Sequence, residues 1–167
     1  MRKFSIACAA FAVANAWLAP LAAAAGPADD AQIRALEARF ATAFNAKDVD
    51  AIMRIYSPDV FVFDVVPPRQ YVGAEAYRKD WQGLMAAFAG PVRFDISDLA
   101  VSSDGAIGYS HSIEHVRSSD SQGHDMDMTV RVTDVYRKVG GEWRIVQEHV
   151  SAPIDLATGK GDLTSKP

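Results

Sequence analysis

Residues 126–138 read MDMTVRVTDVYRK, and the alternation within that stretch decides the fold. Successive side chains on a strand point to opposite faces. Met126, Met128, Val130, Val132 and Tyr136 therefore share a core-facing row. Asp127, Thr129, Arg131, Thr133 and Arg137 share the other face, interrupted only by Val135. Asp134 falls in the apolar row. An isolated buried charge is very costly, so this carboxylate must be hydrogen-bonded, paired or protonated. It is either a pocket residue or a strand-end residue that reaches water, with Arg137 or Arg144 as its ion-pair partner in the second case.

The flanking sequence also reads as strand. Gly140-Gly141 turns into Trp143–Val150, and a polar loop at Ser118–Gly123 separates 126–138 from a strand over Ala106–Val116. Asp104-Gly105 makes the preceding hairpin turn. In 92–101, Val92, Phe94 and Ile96 share one parity while Leu99 and Val101 share the other, the change of phase that a bulge produces.

Helical spacing dominates the N-terminal half. Ile33, Leu36, Phe40 and Phe44 mark a first helix over 29–46, with Asp29 or Asp30 available as cap. Asp48 can cap a second helix carrying Val49, Ile52, Ile55 and Tyr56, stopped by Ser57-Pro58. Residues 60–66 form an apolar run of strand length that suggests burial on both faces. A third helix follows Gly73, with Tyr77, Trp81, Leu84 and Phe88 on one side. Helices followed by a run of antiparallel strands predict an α+β fold, three N-terminal helices packed on a curved antiparallel sheet.

The first 25 residues stand apart. Arg2 and Lys3, an apolar stretch from Phe4 to Leu21 and then Ala22-Ala23-Ala24-Ala25 have the layout of a secretory signal peptide, so the mature protein is expected in the periplasm or outside the cell. Cleavage after Ala25 leaves about 142 residues, the size of one domain. That domain is expected over 28–153, with a flexible tail over 154–167. The single cysteine, Cys8, leaves with the signal, which removes any thiol nucleophile or thiolate metal site. Net charge is −4, and loss of Arg2 and Lys3 leaves 15 basic against 21 acidic residues. No basic cluster exists, so nucleic acid is not an expected partner, nor is a membrane once the signal is gone.

The stretches FNAKDVDAIMRIYSPDVFVFD (44–64) and VTDVYRKVGGEWRIVQEHVS (132–151), with Gly73 between them, resemble the SnoaL-like branch of the NTF2-like superfamily. That superfamily includes ketosteroid isomerases, limonene epoxide hydrolases and polyketide cyclases. The resemblance implies a cone-shaped, cystatin-like fold, an apolar pocket at its open end for a small hydrophobic molecule, and a homodimer formed through the sheet. It implies no cofactor. Against the isomerase pattern, Asp64 falls on the general base and Asp134 on or within one residue of the protonated acid of the oxyanion hole. Proton abstraction beside a carbonyl needs that division between base and donor. The position of the isomerases' oxyanion tyrosine is Phe40, which cannot donate a hydrogen bond. Tyr56 and Tyr109 are the alternatives for that donor.

For Asp64 a second reading stands equally, a carboxylate capping the turn at Pro67-Pro68. His111 and His115 share a parity with Ile107, Tyr109 and Ile113; His149 shares one with Trp143 and Ile145, leaving Glu148 with Val146 and Val150. His111 and His115 lie about 13 Å apart at the usual strand rise, too far to share one metal, so the histidines read as hydrogen-bonded rather than metal-bound. An acid–base role stays open for His115 and His149. The expected lining of the pocket is Phe40, Tyr56, Trp81, Tyr109, Val132 and Glu148, with either Glu148 or His149 facing inward from the last strand. Arg131, Thr133 and Gln147 should face outward.

Overall fold

A computed structural model describes residues 26–165. The signal peptide expected over 1–25 lies outside the described residues. Helix α1 (Pro27–Asn45) buries Ile33, Leu36, Phe40 and Phe44, the row that its spacing requires. It starts earlier than the sequence indicates, with Gly26 at the cap position and no side-chain cap. Asp29 is thereby free to accept from the Trp143 indole (3.1 Å) and to pair with Lys138 (2.7 Å), tying the start of α1 to the sheet. Helix α2 (Val49–Met53) is capped as expected, the Asp48 carboxylate accepting from Ala51 N–H at 2.9 Å. It is shorter than expected: Tyr56 opens strand β1 (Tyr56–Phe63).

After β1 come β2 (Tyr71–Val72), α3 (Ala74–Ala87), β3 (Arg93–Ser103), β4 (Ile107–Ser119), β5 (Asp125–Val139) and β6 (Glu142–Ser151). The six strands form one sheet in the order β2-β1-β6-β5-β4-β3. All neighbours are antiparallel except β1 and β6, which run parallel. The sheet is therefore mixed, not wholly antiparallel. The long return through α3 and the β3–β6 meander delivers β6 beside β1 in the same direction, a geometry that no short hairpin can produce.

The sheet's register shifts at three places, one of them between Tyr56 and Phe61 where β1 pairs with β6. In β3 the register shifts between Ser97 and Ala100, with Asp98 at φ 51°, which explains the phase change seen in 92–101. In the β5–β6 pair, Val135 faces Gln147 and Tyr136 faces Ile145, leaving Val146 as the extra residue. The helices cover one face only. Val60 and Val62 are fully buried beneath them, whereas Phe63 is 40% exposed, which corrects the expectation that β1 is buried on both faces. Residues 154–165 are not an unstructured tail. Strands β7 (Ile154–Asp155) and β8 (Lys160–Gly161) form a hairpin, and beyond it Leu163 C=O accepts from Thr129 N–H, where β5 continues past the end of β6.

Candidate active site

Between the helices and the concave face of the sheet lies a cavity of about 70 Å³. Its apolar wall comes from Phe40 and Phe44 of α1, Trp81 and Leu84 of α3, and Phe94 of β3. Phe44 stacks on Phe94 with centroids 4.2 Å apart, and Phe40 meets Trp81 edge-on at 5.6 Å. Val116, Met128, Val130 and Val150 supply the sheet side. Three carboxyl groups interrupt this apolar lining: Asp64 just past β1, Glu114 on β4 and Glu148 on β6. Among the described residues, no lysine, arginine or histidine lines it. An outer cleft of about 390 Å³ shares Asp64, Val65, Tyr77, Trp81, Leu84 and Met128 with the cavity. Small-molecule sites usually need about 300–1,000 Å³, so only the cleft has room for the body of a ligand.

Two of these carboxyl groups, Asp64 and Glu148, are linked through tyrosines. Tyr77 on α3 places its hydroxyl 2.6 Å from Glu148 Oε1 and 3.1 Å from Asp64 Oδ2. Tyr56 donates to the other oxygen of Glu148 at 2.7 Å. A tyrosine hydroxyl carries one hydrogen. Tyr77 can donate to one carboxyl only, so both contacts are hydrogen bonds only when one of the two carboxyls is protonated and donates back. Asp64 also uses Oδ1 to accept from Val65 N–H (2.6 Å) and Val66 N–H (3.3 Å). One Asp64 oxygen thus meets the backbone that leads into the Pro67-Pro68 turn, and the other meets Tyr77.

A second network lies behind the cavity. Asp134 of β5 is the cross-strand partner of Glu148 on one side and of Ser110 on the other. Tyr136 holds Glu37 at 2.6 Å, Ser110 Oγ at 2.7 Å and, more weakly, Asp134 Oδ2 at 3.4 Å. Asp134 Oδ1 is buried without a hydrogen-bond partner among the described residues.

Burial is the largest influence on every one of these acids, and it raises their pKa because it disfavours the charged form. Glu148 is pushed up to about 7, against the opposing effect of its bonds from Tyr77 and Tyr56. Glu37 is pushed up to about 6 by burial, opposed by the Tyr136 hydroxyl. Glu114 and Asp134 are raised well above the usual range, by burial first and then by neighbouring carboxylates. Asp64 is raised by burial and by Asp80, and held back by Tyr77 and the two backbone N–H groups. Burial thus favours the uncharged form of each of these acids, and Glu148, at about 7, can take up or release a proton around neutral pH.

The structure brings together Asp64, Glu148, Phe40 and Trp81, all lining the cavity. Asp134 lies on the inner row that the alternation assigns it, but one step behind Glu148, away from the cavity wall and from any arginine. Tyr56 and Val132 are buried and face inward without lining the cavity, although Tyr56 reaches Glu148. Tyr109, His115 and His149 are placed elsewhere. The inward row of β4 is Gly108, Ser110, Ser112, Glu114 and Val116, so Tyr109, 53% exposed, and His115 sit on the outer face. There His115 Nε2 meets Asp127 at 2.6 Å. The bulge at Val146 switches the parity of β6, turning Glu148 inward and exposing His149 against Phe63. Arg131 and Thr133 face outward as expected.

Glu37, Glu114 and the hydroxyls of Tyr77 and Tyr136 escape a reading based on apolar alternation. Strand pairing offers the missing signal. The β4–β5 register pairs Ser119 with Asp125, which puts even-numbered residues of both strands on one face. The inward row of 126–136 therefore fixes Glu114 as inward too.

The chain matches the SnoaL-like domain family over residues 33–155. It is 30% identical to an NTF2-like protein of unknown function from Pseudomonas putida KT2440, covering 85% of this chain and 99% of that one, with a TM-score of 0.78. More distant structures share the fold. A proposed scytalone dehydratase from Novosphingobium aromaticivorans is 15% identical, covering 84% of this chain and 93% of that one, with a TM-score of 0.68. A ketosteroid isomerase-like protein from Erwinia carotovora is 16% identical, covering 75% and 97%, with a TM-score of 0.65. Comparison with curated proteins gives no match.

Proposed function

Because the chain belongs to the SnoaL-like family of NTF2-like fold, we propose that it binds a small apolar carbonyl compound and moves a proton on it by acid–base catalysis. The observation that carries this reading is Asp64 at the junction of cavity and cleft, linked through the Tyr77 hydroxyl to buried Glu148. Asp64 is the base. A carboxylate in a partly desolvated wall has a raised pKa and keeps lone pairs beyond the one facing Tyr77, so it can take a proton from carbon. The Trp81 indole N–H, without an acceptor among the described residues, donates to the oxygen on which negative charge develops. Phe40, which cannot donate, contributes shape alone. Asp134 acts as a positioning residue behind Glu148.

The test uses 3-hydroxyacetophenone in heavy water, following loss of its methyl proton signal by NMR. The wild type is expected to accelerate exchange, and Asp64→Asn to lower that rate by about 10²-fold or more. Equal exchange with and without protein would reject catalysis on this class. A non-catalytic binding module is the second reading, favoured by Tyr56, Tyr77 and Glu148 already satisfying one another without a ligand. Binding without exchange would select it. Export, supported by the sequence pattern of 1–25, and a dimer through the outer sheet face, supported by exposed Phe63 and Tyr109, belong to the same reading.

A further inference from the structure

Most polar groups of the cavity are already engaged. Glu148 has both oxygens on tyrosines, and Asp64 has both oxygens occupied. Two groups differ. Glu114 lines the cavity at 8% exposure, and no hydrogen bond among the described residues reaches its carboxyl group. Trp81 lines the same cavity at 6% exposure, and its Nε1 is buried without an acceptor among the described residues. Buried polar groups are almost always hydrogen-bonded, and leaving one unpaired costs about 1–3 kcal/mol. Trp81 Nε1 is such a group, and the unbonded Glu114 carboxyl in the same cavity completes a donor–acceptor pattern that a ligand can meet.

We propose that Glu114 and the Trp81 indole select the ligand, and that it is an uncharged ring-bearing ketone with a separate hydroxyl group. This deepens the function proposed above and rests on it. The indole offers a donor only, and a neutral carboxyl group offers one donor and one acceptor. The ligand must therefore bring an acceptor to Trp81 and a group that both donates and accepts to Glu114. A carbonyl and a hydroxyl meet those needs with nothing left over; an ether in place of the hydroxyl strands the acceptor oxygen of Glu114. Anions are rejected from the inner cavity, because it is lined by three carboxyl groups and, among the described residues, by no cationic side chain. Lys79 belongs to the outer cleft, which Asp64 and Asp80 also line. An ammonium group would need ionised Glu114, which burial opposes. The apolar ring of the ligand fits the outer cleft, with its polar end reaching the inner cavity past Trp81.

The experiment measures affinity by calorimetry for 3-hydroxyacetophenone, 3-methoxyacetophenone and 3-hydroxybenzoate. Wild type is expected to bind the first at least about tenfold more tightly than the second, and not to bind the third, the tenfold step matching one lost hydrogen bond. Trp81→Phe, which removes the N–H together with part of the ring, and Glu114→Leu should each weaken the hydroxy ketone about tenfold or more. Glu114→Gln keeps a donor and an acceptor and should retain most of the affinity. Equal affinity for the hydroxy and methoxy ketones, preference for the benzoate, or no binding of any of the three overturns the proposal. So does a folded Glu114→Leu protein of undiminished affinity; if that variant does not fold, the hydroxy–methoxy comparison on wild type decides alone. Asp64→Asn separates the two readings. Lost exchange with unchanged dependence on Glu114 supports both, and absent exchange with that dependence intact removes catalysis only. Exchange that needs Asp64 but ignores Glu114 removes this inference only.

Discussion

Asp134 and Glu148 are cross-strand partners on β5 and β6, and both side chains point into the protein. Directly opposed residues hold their Cβ atoms about 4.5–5.5 Å apart. Two carboxylates that close, in a poorly solvated interior, cannot both ionise cheaply, so the pair retains a proton to higher pH than either acid would alone.

Stability should therefore fall as the solution becomes less acidic. The raised carboxyls hold protons in the folded state that the unfolded chain has released, so unfolding gains with every increment of pH between the two values. For Glu148 that window runs from its ordinary 4.5 to about 7, and for Glu37 from 4.5 to about 6. The melting temperature should be higher at pH 5 than at pH 8, as scanning calorimetry would record. A flat or rising profile across that window would contradict the protonated cluster.

Asp134→Asn removes one charge from the pair while keeping its shape. The variant should gain on wild type at pH 8 and show little difference at pH 5, where the acid is already neutral. Combining it with Glu148→Gln should be non-additive, since the two residues share one interaction. Urea titrations of the four proteins at both pH values complete the cycle.

Tyr77→Phe deletes the hydroxyl between Asp64 and Glu148 and leaves a buried oxygen of Glu148 unpaired. A loss of about 1–3 kcal/mol follows, read as a lower urea midpoint at unchanged slope. Exchange activity should shift its pH dependence as well, because Asp64 loses a bond that favours its charged form. A merely structural role for Tyr77 would leave the pH profile in place.

Gly108 lies against α1. A Cβ built there would come within 2.4 Å of the Ile33 terminal methyl, and Ile33 is fully buried. Gly108→Val should destabilise by about 1–3 kcal/mol through overpacking, whereas a branched residue at Gly83, where a Cβ meets nothing within 4 Å, should not clash.

Much of this architecture is legible in the sequence because apolar spacing and burial agree. The rows of α1 and of β5, the Asp48 cap and the β3 bulge all follow from spacing or turn chemistry. The site was harder to read for a physical reason. On β4 the inward row is mostly small or polar, while Tyr109 and Ile113 point outward, so hydrophobicity assigns the faces backwards. On β6 one extra residue at Val146 exchanges Glu148 with His149. In both strands the register against β5 carries the information that composition hides, and Asp134 is the fixed point from which it can be read.

The chain end has a consequence of another kind. Where β6 stops, β5 would present bare backbone, an invitation to pair with a neighbouring molecule. Leu163 meets that edge with its carbonyl on the Thr129 amide. A protein shortened to residue 153 should keep its acids and its cavity yet become prone to stacking strand against strand. Residues 154–165 thus guard solubility rather than chemistry.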